Sequence, residues 1–125
     1  FELGENLRRL SLEGGHDWRT LAESAREWLD QSLKLNPHDA RVRLSLAQTL
    51  NWLGDRTRAE EEFTETLRRG PNDVTIANAV AWFYLTHGKP AEARALLQKS
   101  LEWQPWSSWT ARDYLQKAEQ QLQAQ

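Results

Sequence analysis

The chain has no cysteine and no methionine among its 125 residues, and only four prolines and six glycines. Without cysteine, disulfides and thiolate metal sites are excluded, and the redox compartment stays open. No apolar run approaches the roughly 20 residues that a membrane helix requires, and no signal-peptide pattern is present. Neither sign of charge dominates. Sixteen Lys and Arg stand against 18 Asp and Glu, for a net charge of −2, and the two signs are interspersed. That balance gives no electrostatic footprint for nucleic acid. A chain that starts at Phe1 and lacks methionine is expected to be a segment of a longer protein, whose remainder would hold any catalytic or targeting element. Localisation is left open, with the cytoplasm weighed ahead of the periplasm.

What the chain does have is tryptophan, seven in all, three of them in the stretch LEWQPWSSW at 101–109. It also has a period. Pro37, Pro71 and Pro105 are evenly spaced, and the same interval separates Ala25, Ala59 and Ala93. It recurs again in Leu29, Phe63 and Leu97, in Leu33, Leu67 and Leu101, and in Gly54 and Gly88. One period shared by several residue classes is the mark of a repeat array. At this length the chain makes about one domain. Its 39% hydrophobic and 27% charged residues fit a globular or solenoid protein.

The anchors Leu46-Ala47-x-x-Leu50, Gly54, Ala59, Phe63 and Pro71 are followed by Val80-Ala81-x-x-Tyr84, Gly88, Ala93, Leu97 and Pro105. In this register the chain resembles the tetratricopeptide repeat family, whose unit is a helix–turn–helix of roughly 34 residues. The leading aromatic of the family pattern is missing, since Arg43 and Ala77 hold that place. The resemblance implies an all-α fold, a right-handed superhelix of antiparallel helix pairs. It covers a single domain over 1–125: an irregular, truncated first repeat at 1–39, repeats at 40–73 and 74–107, and a closing helix at 108–125.

The residue types fit that reading physically. Small Ala47, Ala59, Ala81 and Ala93 let paired helices approach, while Leu50, Phe63, Tyr84 and Leu97 fill the space beside them. Gly54 and Gly88 suit the positive φ that ends a helix. Asp39 and Asp73 suit N-caps, and Pro90 suits a first helical turn. In the first repeat, Leu3-Gly4-x-x-Leu7 stands further ahead of Ala25 than Leu46 stands ahead of Ala59. The extra length is expected around Ser11–Arg19, where Gly14-Gly15 breaks the helix and Asp17 caps the next. At the other end, Ala111, Leu115, Ala118 and Leu122 mark an amphipathic helix with a Gln-rich outer face. Such a helix closes a solenoid, so the chain end is expected to be natural.

Little in the sequence suggests chemistry. His16, His38 and His87 fall in or near turns, where solvated histidines are the rule, and Glu60-Glu61-Glu62 reads as a solvated face. Arg41, Arg43, Arg56, Arg58, Arg68 and Arg69 have acids nearby to counter them. No catalytic, cofactor-binding or metal-ligating set is assigned, and no cofactor is expected.

The resemblance implies that the first helix of each pair lines a concave groove. Candidate partner-binding residues there are Arg41, Leu44, Gln48, Asn51, Asn78, Trp82, Leu85, Trp109 and Arg112. Trp82 is the aromatic centre of that set, and its equivalents Gln48 and Gln116 are polar. The places that hold lysine and asparagine in co-chaperone members carry Leu44, Gln48 and Asn78 here, which argues against that ligand class. The expected function is a non-catalytic scaffold or adaptor module, binding a peptide or partner protein within a larger bacterial protein. It is not itself an enzyme, and it has neither nucleic-acid binding nor membrane insertion. Alternatives are a regulatory or substrate-presenting segment of an enzyme such as a glycosyltransferase or protein kinase, carbohydrate recognition by exposed tryptophans, and self-association. Within LEWQPWSSW, Trp103 is expected to pack a helix end, Trp106 to lie in the turn, and Trp109 to face the groove.

Overall fold

In a computed structural model of the chain, the described residues are Gly4, Asn6, Arg8, Arg9, 17–103 and 109–124. They are helical almost throughout and contain no strand. Among them six helices are traced: α1 Trp18–Leu35, α2 Ala40–Leu53, α3 Arg56–Arg69, α4 Val74–Thr86, α5 Pro90–Trp103 and α6 Trp109–Ala124. Two compact units divide them, Phe1–Arg69 and Gly70–Gln125.

In the first unit, α1 buries Ala22, Ala25 and Leu29, a stripe one helical turn apart at each step. Gly4 lies against that stripe. A Cβ there would sit 3.1 Å from Leu29 Cγ and 3.3 Å from Trp28 Cβ, so a glycine lets the backbone come this close. Asp17 occupies the N-cap position of α1, but its side chain makes no capping bond, contrary to expectation. The helix starts at Trp18, inside the stretch expected to be irregular. Residues 11–16, with Gly14, Gly15 and His16, lie outside the described residues.

Helix α2 is buried on several sides, through Val42, Arg43, Ser45, Leu46, Ala47, Thr49 and Leu50. It runs between α1 and α3, and a helix so covered needs small residues where its neighbours cross. Ala47 on α2 and Ala59 on α3 are fully buried, with Leu50 and Phe63 beside them in the core. Asp39 Oδ1 caps α2 by accepting from the amides of Arg41 at 3.0 Å and Val42 at 3.3 Å. Gly54 ends it with φ 91°, and the Asp55 amide turns back to the Leu50 carbonyl.

The second unit repeats the plan. Asp73 Oδ1 accepts from the Ile76 amide at 3.2 Å to cap α4, Gly88 takes φ 73°, and Pro90 opens α5. Its core gathers Ala81 and Leu85 from α4, Ala93 and Leu97 from α5, and Ala111 and Ala118 from α6. Tyr84, Leu96, Leu101, Tyr114 and Leu115 are half-buried around it. Phe83, outside the repeat pattern, is buried, and the His87 ring packs on it at 4.4 Å. His87 is thus half-buried against an aromatic ring rather than a solvated turn residue.

Candidate functional site

In the second unit a cleft forms where α4 meets α6. Trp82 projects from α4 onto Tyr114 of α6, with ring centroids 4.9 Å apart and planes 28° from parallel. Lys117, one turn beyond Tyr114, sets its ammonium 5.5 Å from the Trp82 ring centroid and 5.9 Å from that of Tyr114. Such placement is a cation–π contact, worth about 0.5–1 kcal/mol at an exposed site. Asp113 Oδ2 holds the same ammonium at 3.0 Å. Trp82 keeps 42% of its surface exposed despite the stack.

Beside the stack opens a cleft of about 440 Å³, lined by Trp82, Leu85, Thr86, Lys117, Gln120, Gln121 and Ala124. Its apolar wall comes from α4 and the end of α6, and its polar rim from Lys117 and two amides. Gln121 Nε2 donates to the Leu85 carbonyl at 3.3 Å, which ties the last turns of the two helices together. One turn before Trp82, Asn78 Oδ1 accepts from Ser100 Oγ at 2.9 Å. That bond holds the Asn78 amide against α5.

Each residue expected from the sequence can be located. In the first unit Arg41 is exposed, beside Asp39 at 3.9 Å, while Leu44, Gln48 and Asn51 are half-buried along α2. In the second unit Trp82 walls the cleft and Asn78 lies one turn away on α4. Trp109 and Arg112 are exposed at the start of α6, Trp109 at 87%. Leu85 is only 5% exposed and belongs to the core, touching the cleft from below.

The residues that build the site with Trp82 were missed: Tyr114, Lys117, Gln120 and Gln121. Their signal was the i, i+3, i+7 spacing of Tyr114, Lys117 and Gln121, which puts one aromatic, one cation and one amide on a single helix face. The first unit holds a further aromatic pair, Trp18 against Trp52 edge-on at 5.6 Å and 68°. Trp103 ends α5 half-buried and walls a polar cleft with Asn72, Asp73, Val74 and Thr75. Trp106 and Pro105 lie outside the described residues.

The charged groups mostly satisfy one another. Arg58 chelates Asp30 through Nη2 at 2.7 Å and Nη1 at 3.5 Å, and this bond raises the guanidinium above its ordinary value. Glu65 accepts from Arg68 and Arg69, and these two guanidiniums hold its carboxyl down at about 2. Glu62, expected to be solvated, is instead paired with Arg43 Nη1 at 3.0 Å in a largely buried bridge. Among the described residues, no three His, Asp or Glu side chains are grouped to hold a metal ion, and no helix is long and apolar enough to cross a membrane.

Comparison with known proteins agrees with this architecture. Residues 22–83 match the family profile described as tetratricopeptide repeat. No curated protein matches the chain.

Proposed function

The chain belongs to the tetratricopeptide repeat family, whose repeats are protein-interaction modules, and from that premise we propose that it acts as a non-catalytic scaffold or adaptor. Its repeats run over 40–73 and 74–107, with 108–125 closing the array. The ligand is an extended peptide segment, held where α4 meets α6. Trp82 and the Leu85 floor take an apolar side chain, the amides of Gln120 and Gln121 meet the peptide backbone, and Asn78, bonded to Ser100, supports the α4 wall one turn away. Trp109, on the Gln120 side of α6, extends that surface toward the start of the helix, and Arg112 offers a contact on the adjoining face. Arg41, Leu44, Gln48 and Asn51 on α2 offer the first unit a recognition face of its own.

One observation carries this reading: a tryptophan 42% exposed, braced by Tyr114 and Lys117, on the wall of a cleft of about 440 Å³. A large aromatic left half-open but held rigid loses little entropy on binding, which is what an anchor pocket needs. The test uses an array of short random peptides, read with wild type and with Trp82→Ala. Peptides captured by wild type should lose at least about tenfold in affinity to the variant, the range of an interface anchor. Trp82→Ala loses the Tyr114 stack and the Lys117 contact, so it should cost about 1–2 kcal/mol of stability with helix content unchanged. Equal capture by both proteins would end the proposal for this cleft.

A further inference from the structure

The turn between α1 and α2 carries a cluster that the peptide site does not use. The Pro37 carbonyl accepts from Arg43 Nη2 at 3.1 Å and from Arg69 Nη1 at 3.3 Å. The same Arg69 Nη1 lies 2.9 Å from His38 Nδ1. A guanidinium only donates and does not give up its proton in proteins, so Nδ1 must be the acceptor. An imidazole that accepts at Nδ1 carries its one proton on Nε2 and is neutral. Proton uptake at Nδ1 turns that acceptor into a donor and brings two cations face to face.

We infer that the Asn36–Asp39 turn is a proton-operated latch, in which Arg69 of α3 grips His38 while the imidazole is neutral and releases it on protonation. The surrounding charges leave His38 as the moving part. From α3, Glu65 holds Arg69 Nε at 2.7 Å and also binds Arg68. With its carboxyl held at about 2, Glu65 stays anionic wherever an imidazole titrates, so Arg69 remains in place on both sides of the transition. Glu62 of α3 is committed to Arg43 of α2. Asp39, next in the turn, is committed to the amides of Arg41 and Val42. The last turn of α1 contributes the ammonium of Lys34. Histidine alone among these side-chain types ordinarily changes charge between about pH 5 and 8.

The second unit supplies the control. One repeat after His38 stands Asn72, a residue type whose amide oxygen accepts without titrating. The experiment follows hydrogen exchange of the Asp39 amide, which donates to the Asn36 carbonyl at 3.2 Å, in the full chain from pH 8 to pH 5. Rates are corrected for the intrinsic pH dependence of exchange. Nitrogen-15 correlation spectra of His38 at pH 8 give its tautomer and need no variant. The expected result is the Nε2–H tautomer, with protection of the turn falling about three- to tenfold on acidification, the worth of one hydrogen bond. His38→Asn should stay latched and flat across the range, and Arg69→Ala should be open and flat. An Nδ1–H tautomer, a wild-type turn indifferent to pH, or an unchanged pH response in His38→Asn would each overturn the latch.

Discussion

The two units use the same joint, built from opposite materials. In the first, the positions around the Pro37 turn are Arg43, Glu62, Arg69 and His38, which hold one another by charge. In the second, one repeat on, the corresponding positions around Pro71 are Ala77, Leu96, Trp103 and Asn72. The backbone answers alike in both, with an aspartate cap, a first helix of similar length and a glycine at positive φ. The repeat therefore fixes the path of the chain and leaves the filling of the joint free. An ionic filling is directional, because each guanidinium must meet its acceptor. An apolar one asks only for volume.

The ionic joint is also the more fragile of the two under single changes. Arg43 and Glu62 are largely buried, and removing one strands the other's charge. Glu62→Leu, which copies Leu96, should cost about 3–5 kcal/mol in urea unfolding. Adding Arg43→Met should recover most of that loss, since an apolar pair of similar volume is often neutral or better than a buried ion pair. Arg43 Nε strengthens the expectation, because it is buried with no hydrogen-bond partner among the described residues, and the double variant removes that burden too. If the double variant is as unstable as Glu62→Leu alone, the ion pair contributes something apolar filling cannot replace, and the two joints are not interchangeable.

Trp103 gives the apolar side of the comparison. It closes α5 at the position equivalent to Arg69, half-buried, with one side open to the polar cleft at the start of α4. Trp103→Ala should cost about 2 kcal/mol, roughly half the toll of a fully buried tryptophan. Its effect on stability should be independent of salt, whereas that of Arg69→Ala should shrink as salt screens its partly exposed contacts. Thermal melts at low and high ionic strength separate the two. A salt-dependent Trp103→Ala would mean that the second joint is not apolar.

How far these joints could be read beforehand follows from what periodicity measures. The regular spacing of the repeats disclosed the helices, the caps at Asp39 and Asp73, the turns at Gly54 and Gly88, and the alanines at the crossings. All of these are set by local geometry that each repeat must satisfy again. Periodicity marks equivalence, however, and not contact. Gln116 is the equivalent of Trp82, but Tyr114 and Lys117 are what Trp82 touches. Glu62 looked solvated inside an acidic run because its partner Arg43 is 19 residues away on another helix. Phe83 gave no signal because α4 is apolar nearly all round, so helical phase does not say which of Trp82, Phe83 and Tyr84 is inside.

The smallest expected effect belongs to Glu65, which binds Arg68 and Arg69 at the edge of the ionic joint. Its equivalent in the second unit is Lys99, an exposed cation, so the second joint has no counterpart to lose. Hydrogen bonds from Arg68, then Arg69, hold the folded carboxyl down at about 2, below the roughly 4.3 of an unfolded glutamate. A depressed value means that the folded state binds the proton less readily than the unfolded one. The stabilisation is therefore complete above the unfolded value, declines as the pH falls below it, and is gone once the folded carboxyl is protonated near pH 2. Solvent screens so exposed a carboxylate, and the gain is correspondingly small. Glu65→Gln should thus melt slightly below wild type at pH 7, with the gap closing as pH drops from about 4 toward 2. Lys99→Gln should leave the pH profile of melting unchanged over the same window. A gap for Glu65→Gln that widens on acidification would mean that Glu65 is not the acceptor that Arg68 and Arg69 share.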